Sequence, residues 1–80
     1  MRIPRDVSAK DLCKKLEKYD YSITRQKGSH IRLTTRRNGE HHITIPNHNN
    51  LRIGTLSNII QSVANHMESN KEEIIKELFS

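Results

Sequence analysis

The spacing of apolar residues changes its period twice along the chain, and that change constrains the fold more than any other feature. Leu12, Cys13, Leu16 and Tyr19 recur at helical spacing, with Lys10, Lys14, Lys15 and Lys18 left for the wet side. From Tyr21 the period becomes two: Tyr21 and Ile23, then Ile31 and Leu33, then Ile43 and Ile45 alternate with polar residues. Helical spacing returns with Leu56, Ile59, Ile60, Val63, Ala64 and Met67, and Ile74, Ile75, Leu78 and Phe79 add a short terminal helix. The order α-β-β-β-α with an added helix predicts an α+β fold: a three-stranded antiparallel sheet with helices layered on one face.

Local signals place the boundaries. Ser8 and Asp11 form a capping box, and Val7 can staple onto Leu12, so the first helix starts at Ser8; it should stop near Tyr19. Lys27-Gly28 supplies the first turn, the third strand runs from Glu40 to Pro46, and a loop over 47–52 precedes a second helix from about Gly54 or Thr55. Ser69 with Glu72, or Asn70 with Glu73, can cap the terminal helix.

The second hairpin can be tested by arithmetic. A two-residue Asn38-Gly39 turn would set Leu33 opposite Thr44 and mix apolar with polar residues on one face. A three-residue loop, Arg37-Asn38-Gly39 with Gly39 left-handed, instead pairs Leu33 with Ile43 and Ile31 with Ile45. The second register is predicted. It turns His30, Arg32 and Thr34 to the other face, with Thr44 across from Arg32 and His42 across from Thr34.

Eighty residues allow one domain, 1–80, with its core over about 8–66 and a helical extension over about 69–79. At this size roughly 60% of the unfolded surface can be buried, which disfavours a deep small-molecule pocket. No apolar run approaches the roughly 18 residues of a membrane span and the N-terminus lacks a signal-peptide pattern, so a cytoplasmic location is expected. The single cysteine, Cys13, cannot form an internal disulfide.

Charge is unevenly spread. Residues 1–67 hold twelve Lys and Arg against five Asp and Glu, whereas 68–80 hold two against four. Arg25, Lys27, Arg32, Arg36 and Arg37 lie within thirteen positions free of any acid, a composition suited to phosphates and equally to a solvated face. Neither C-x-x-C nor H-x-x-x-H spacing is present, the carboxylates are scattered, and Gly28, Gly39 and Gly54 form no phosphate loop; neither metal nor nucleotide cofactor is expected.

Three blocks, Arg25-Gln26-Lys27-Gly28-Ser29-His30, Ile45-Pro46-Asn47-His48 and Gly54-Thr55-Leu56, stand in an order and spacing that resembles the HicA (YcfA-like) mRNA interferase family over about residues 8–66. The resemblance implies a fold similar to a double-stranded-RNA-binding domain and the toxin role of a type II toxin-antitoxin pair. It further implies endonuclease activity on mRNA, the family's functional histidine falling on His30, and a HicB-type antitoxin partner that masks the nuclease face. The loop between His48 and Gly54 is shorter than in many relatives, and the tail beyond Met67 is longer than in compact ones.

The chemistry suits the residues. RNA carries its own nucleophile in the 2′-hydroxyl, so a base and nearby cations suffice, and histidine, with an unperturbed pKa near about 6.5, is fitted to the proton transfer. His30 is the expected catalytic residue, with Lys27, Ser29, Arg32 and His42 beside it and Arg25, Arg36 and Arg37 giving diffuse attraction to RNA. A non-catalytic RNA-binding module is the alternative reading of the same basic face. His48 is expected to organise its loop, and the terminal helix to pack on the core.

Overall fold

A computed structural model describes residues 3–80. The first helix, α1, spans Ala9–Lys15 and tightens into a 3₁₀ turn over Leu16–Tyr19 that Asp20 ends in the left-handed conformation at φ 64°. Ser8 is its N-cap, the side-chain oxygen accepting from the Asp11 N–H at 3.1 Å, and Val7 and Leu12 both enter the core. Three strands follow: β1 (Ser22–Lys27), β2 (His30–Thr35) and β3 (His41–Pro46), in the spatial order β1-β2-β3 with antiparallel pairing throughout. Two helices complete the chain, α2 (Ile53–His66) and α3 (Lys71–Phe79).

The β2–β3 register is the expected one: Ile31 opposes Ile45, Leu33 opposes Ile43, Arg32 opposes Thr44 and Thr34 opposes His42. Gly39 is left-handed at φ 100°, and so is Asn38 at φ 60°, in a turn where the Arg36 carbonyl accepts from the Gly39 N–H at 3.2 Å. A positive φ at the third position is the type II signature, and asparagine tolerates it. The β1–β2 turn is shorter: Lys27 pairs with His30 across Gly28-Ser29, with φ +57° at Gly28, the position glycine takes in a II′ turn.

The core follows from this pairing. Ile31, Leu33, Ile43 and Ile45 present one face of the sheet to Leu12, Leu16, Leu56, Ile60 and Val63 from α1, its 3₁₀ turn and α2. One expectation needs correction. Ile23 pairs with Leu33 and so turns to the apolar side, yet it is 54% exposed, and all six residues of β1 are exposed. The cause is position: β1 is an edge strand, and α1 flanks it across an open groove lined by Lys10, Cys13, Lys14 and Glu17 instead of packing over Ile23.

The C-terminal segment is part of the core, as expected. Asn70 caps α3, its side-chain oxygen accepting from the Glu73 N–H at 2.9 Å, which selects the second of the two candidate capping boxes. Ile74, Ile75 and Leu78 are buried, Lys71 reaches Ser57 on α2, and Lys15 lies over the Phe79 ring at 5.5 Å. Removing a fully buried aliphatic side chain costs about 2–5 kcal/mol. Ile74→Ala should therefore lower the urea midpoint sharply, and a midpoint within error of wild type would contradict core packing by α3.

A histidine pair joins the sheet to α2. The Tyr21 hydroxyl meets His41 Nδ1 at 2.8 Å, Ser62 Oγ lies 3.4 Å from His41 Nε2, and the His41 and His66 rings stack at 4.4 Å. Burial pushes the Tyr21 hydroxyl up to about 12, so it donates, leaving His41 neutral with its proton on Nε2. Burial first, then His66 and His42, hold the His41 pKa below its ordinary 6.5. The unfolded chain therefore binds the extra proton first, and stability should decline as pH falls below about 6.5 until the folded-state pKa is passed. Thermal melts between pH 7.5 and 5.5 should show this decline, and His41→Gln should flatten it; an equally steep profile in the variant would rule His41 out as its source.

Candidate nucleic-acid interface

The polar face of the sheet is built by strand alternation. On β2, His30, Arg32 and Thr34 point away from the core side marked by Ile31 and Leu33. On β3, His42 and Thr44 lie across from Thr34 and Arg32. Simple alternation cannot do the same for β1, because Tyr21, Ile23, Arg25 and Lys27 all have odd numbers and would share one face.

A β-bulge solves this. Ile23 pairs with Leu33, but the next pair is Arg25 with Arg32, so Thr24 is an extra residue on β1 and the strand changes face there. Below the bulge Ile23 turns towards the helices. Above it Arg25 stands beside Arg32 and Lys27 beside His30, both on the polar face. Sequence reasoning placed these cations with the histidine but missed the device that puts them there. The signal available was the conflict itself: apolar and cationic residues in phase on one strand.

Arg25, Lys27, His30, Arg32 and Thr44 thus line one open depression of about 330 Å³. All five are exposed, so a ligand would meet them without opening the fold. Four of them carry or can carry positive charge, and no carboxylate lines the depression. Such a surface can hold phosphate oxygens while an imidazole exchanges protons with a bound group.

The turns flanking His30 are braced by backbone bonds. Ser29 lies in the turn, where its carbonyl accepts from the Asn47 N–H at 2.6 Å, and the His48 carbonyl accepts from Ala9 N–H at 3.0 Å. The segment after β3 therefore ties the His30 turn to the start of α1. His48 takes part through its main chain.

His42 belongs to a different group. Thr24 Oγ1 lies 2.8 Å from Thr34 Oγ1, Thr34 Oγ1 lies 2.7 Å from His42 Nδ1, and His42 Nε2 lies 3.1 Å from Glu40 Oε2. The carboxylate accepts from Nε2–H, so Nδ1 accepts from the Thr34 hydroxyl. Thr34 is four residues from His30 along β2, a separation of roughly 13 Å at about 3.3 Å per residue. The structure therefore does not bring His42 together with His30.

Arg36 and Arg37 sit at the hairpin tip, away from His30. Arg36 lines a separate depression with Asp20, Ser22, Thr24 and Thr34. Arg37 donates to the Lys18 carbonyl at 2.9 Å, lies 3.9 Å from Asp20 and stands over the Tyr19 ring at 5.8 Å. Its guanidinium fastens the hairpin to the end of α1, while His66 Nε2 donates to the Arg37 and Gly39 carbonyls, each at 2.9 Å.

Cys13 is buried, and burial raises its thiol pKa, which keeps it protonated and poorly nucleophilic. Among the described residues no three of His, Cys, Asp and Glu converge as metal ligands, and no helix is long and apolar enough to cross a membrane.

Comparison with known proteins returns no match among curated proteins and none among solved structures. The family model described as the HicA toxin of bacterial toxin-antitoxin systems matches residues 9–64, from the first residue of α1 to the last turns of α2. That span contains β1, β2 and β3 complete, together with the depression around His30, and it covers well over half of the chain. The protein belongs to the HicA toxin family.

Proposed function

We propose that the protein is an endoribonuclease that cleaves mRNA without a metal ion, as the toxin of a toxin-antitoxin pair, with His30 as general base. The observation that carries this reading is the placement of His30 on the polar face with Lys27, Arg25 and Arg32 in the same depression. His30 takes the proton of a ribose 2′-hydroxyl, and the freed oxygen attacks the adjacent phosphorus. The bond from phosphorus to the 5′-oxygen breaks, and that oxygen takes a proton from water. The products are a 2′,3′-cyclic phosphate and a 5′-hydroxyl end.

Lys27 and Arg32 steady the charge that grows on the non-bridging oxygens, and Arg25 extends the phosphate track. Ser29 in the turn meets the same strand of RNA. His42, roughly 13 Å along the sheet, contacts RNA beyond the scissile phosphate. Arg36 and Arg37 add long-range attraction, Arg37 as charge alone because its guanidinium is engaged. An open, shallow surface suits single-stranded mRNA in the cytoplasm, and a HicB-type antitoxin masks this face.

The direct test is cleavage of a labelled RNA oligonucleotide in EDTA. The wild type should cut, His30→Ala should lose about 10²–10⁴-fold in rate, and the matching DNA should survive for want of a 2′-hydroxyl. Equal cutting by His30→Ala would falsify the assignment. Salt-dependent RNA binding with no cleavage under any condition would favour a non-catalytic binding module instead.

A second measurement separates charge from chemistry. For single strands each neutralised phosphate contributes about 0.7 to the slope of log affinity against log salt. In the non-cleaving His30→Ala protein, adding Lys27→Ala or Arg32→Ala should lower that slope by about this amount each. An unchanged slope would remove the residue from the phosphate track.

A further inference from the structure

The apolar side of the sheet is sealed everywhere except along β1. Ile31, Leu33, Ile43 and Ile45 are at most 6% exposed, whereas Ile23, turned to the same side, is 54% exposed. Beside it an open groove of about 330 Å³ runs between α1 and β1. Cys13, Ile23 and Ile31 make its apolar lining, Lys10 and Lys14 border it one helical turn apart, and Gln26 contributes a polar group from β1. Among the described residues β1 pairs only with β2, so its outer edge also presents backbone groups that no described strand pairs.

We propose that this groove docks an extended, acidic segment of a partner protein, whose apolar side chain covers Ile23 while its carboxylates meet Lys10 and Lys14. Three features of the surface select that occupant. A second copy of this chain is disfavoured, because pairing β1 with itself would bring Arg25 and Lys27 of the two copies together, and like charges across a strand pair destabilise it. RNA is disfavoured because the groove offers an apolar lining and no aromatic platform, on the side of the sheet opposite His30. An acidic polypeptide matches both the two lysines and the net charge of +5.

Glu17 also lines the groove and repels carboxylates, so it gives the docking segment a direction. The acidic part lies at the Lys10 and Lys14 end, and the part near Glu17 is uncharged or basic. Gln26 and Ile31 are paired with each other between the Lys27–His30 and Arg25–Arg32 pairs. The docked segment therefore sits directly behind the basic depression, next to a free edge over which a partner can reach the other face. This inference does not depend on RNA cleavage.

The probe is a synthetic peptide alternating Glu and Val, with a Lys-Val peptide of equal length as control. Amide shifts of the full chain are followed in low salt. The Glu-Val peptide should shift residues 22–27 and 10–17, and the Lys-Val peptide should shift neither. Ile23 is exposed, so Ile23→Asp should leave the fold intact and weaken binding at least tenfold, as should Lys10→Glu with Lys14→Glu. Shifts confined to the face around Arg32, affinity unchanged by Ile23→Asp, or no binding at millimolar peptide would each overturn the proposal. Concentration-dependent dimerisation of the free chain through β1 would overturn it in favour of a second copy.

Discussion

The pairing of Leu33 with Ile43 and of Ile31 with Ile45 is the constraint on which the rest of the molecule depends. These four side chains form the floor on which α1 and α2 pack, and a slip of one residue would replace them with Arg32, Thr34, His42 and Thr44. So small a core cannot bury the guanidinium of Arg32, so the register is enforced by everything the helices contribute. The same pairing fixes the opposite face. His30 and Arg32 are exposed because Ile31 and Leu33 cannot be, and the polar site is in this sense a by-product of core formation.

That dependence explains what was legible in the chain and what was not. Element order, the α1 cap, the β2–β3 register and the apolar stripe of α2 are written in local spacing and cap chemistry, and each could be read from a few adjacent residues. The Thr24 bulge could not, because it resolves a conflict between distant requirements. Tyr21 must stay under the helices while Lys27 is held to His30 by the two-residue Gly28-Ser29 turn, and the odd-numbered spacing cannot satisfy both without one extra residue. The exposure of Ile23 is likewise set by distant packing. Its alternation is correct, but only the placement of α1 across an open groove leaves the side chain uncovered.

Of the candidate site, His30, Lys27, Arg25 and Arg32 converge in one depression, while Arg36, Arg37 and His42 do not join them. Composition places cations in a segment, and topology decides which of them meet. Arg37 illustrates the difference: in sequence it is one more cation in an acid-free run, whereas in the fold its guanidinium meets Asp20, the Lys18 carbonyl and the Tyr19 ring. The His41–His66 stack was equally out of reach, since it joins β3 to the end of α2 across twenty-five positions. Through His66 it also holds the hairpin tip, where Asn38 donates back to the His66 carbonyl at 2.8 Å.

The separation of His30 from His42 limits what this face can do. A pair of histidines acting as base and acid on one phosphate must both reach it, and four residues of extended strand, roughly 13 Å, put His42 out of reach. His42 is moreover tied between Thr34 and Glu40, an arrangement that holds the ring still. On the reading proposed above, a phosphoryl-transfer centre on this sheet would work with one imidazole and the cations around it. In that reading charge stabilisation by Lys27 and Arg32 would supply what a second proton-transfer group otherwise provides, and the bulge at Thr24, which brings Lys27 to His30, would matter to the chemistry as much as the histidine itself.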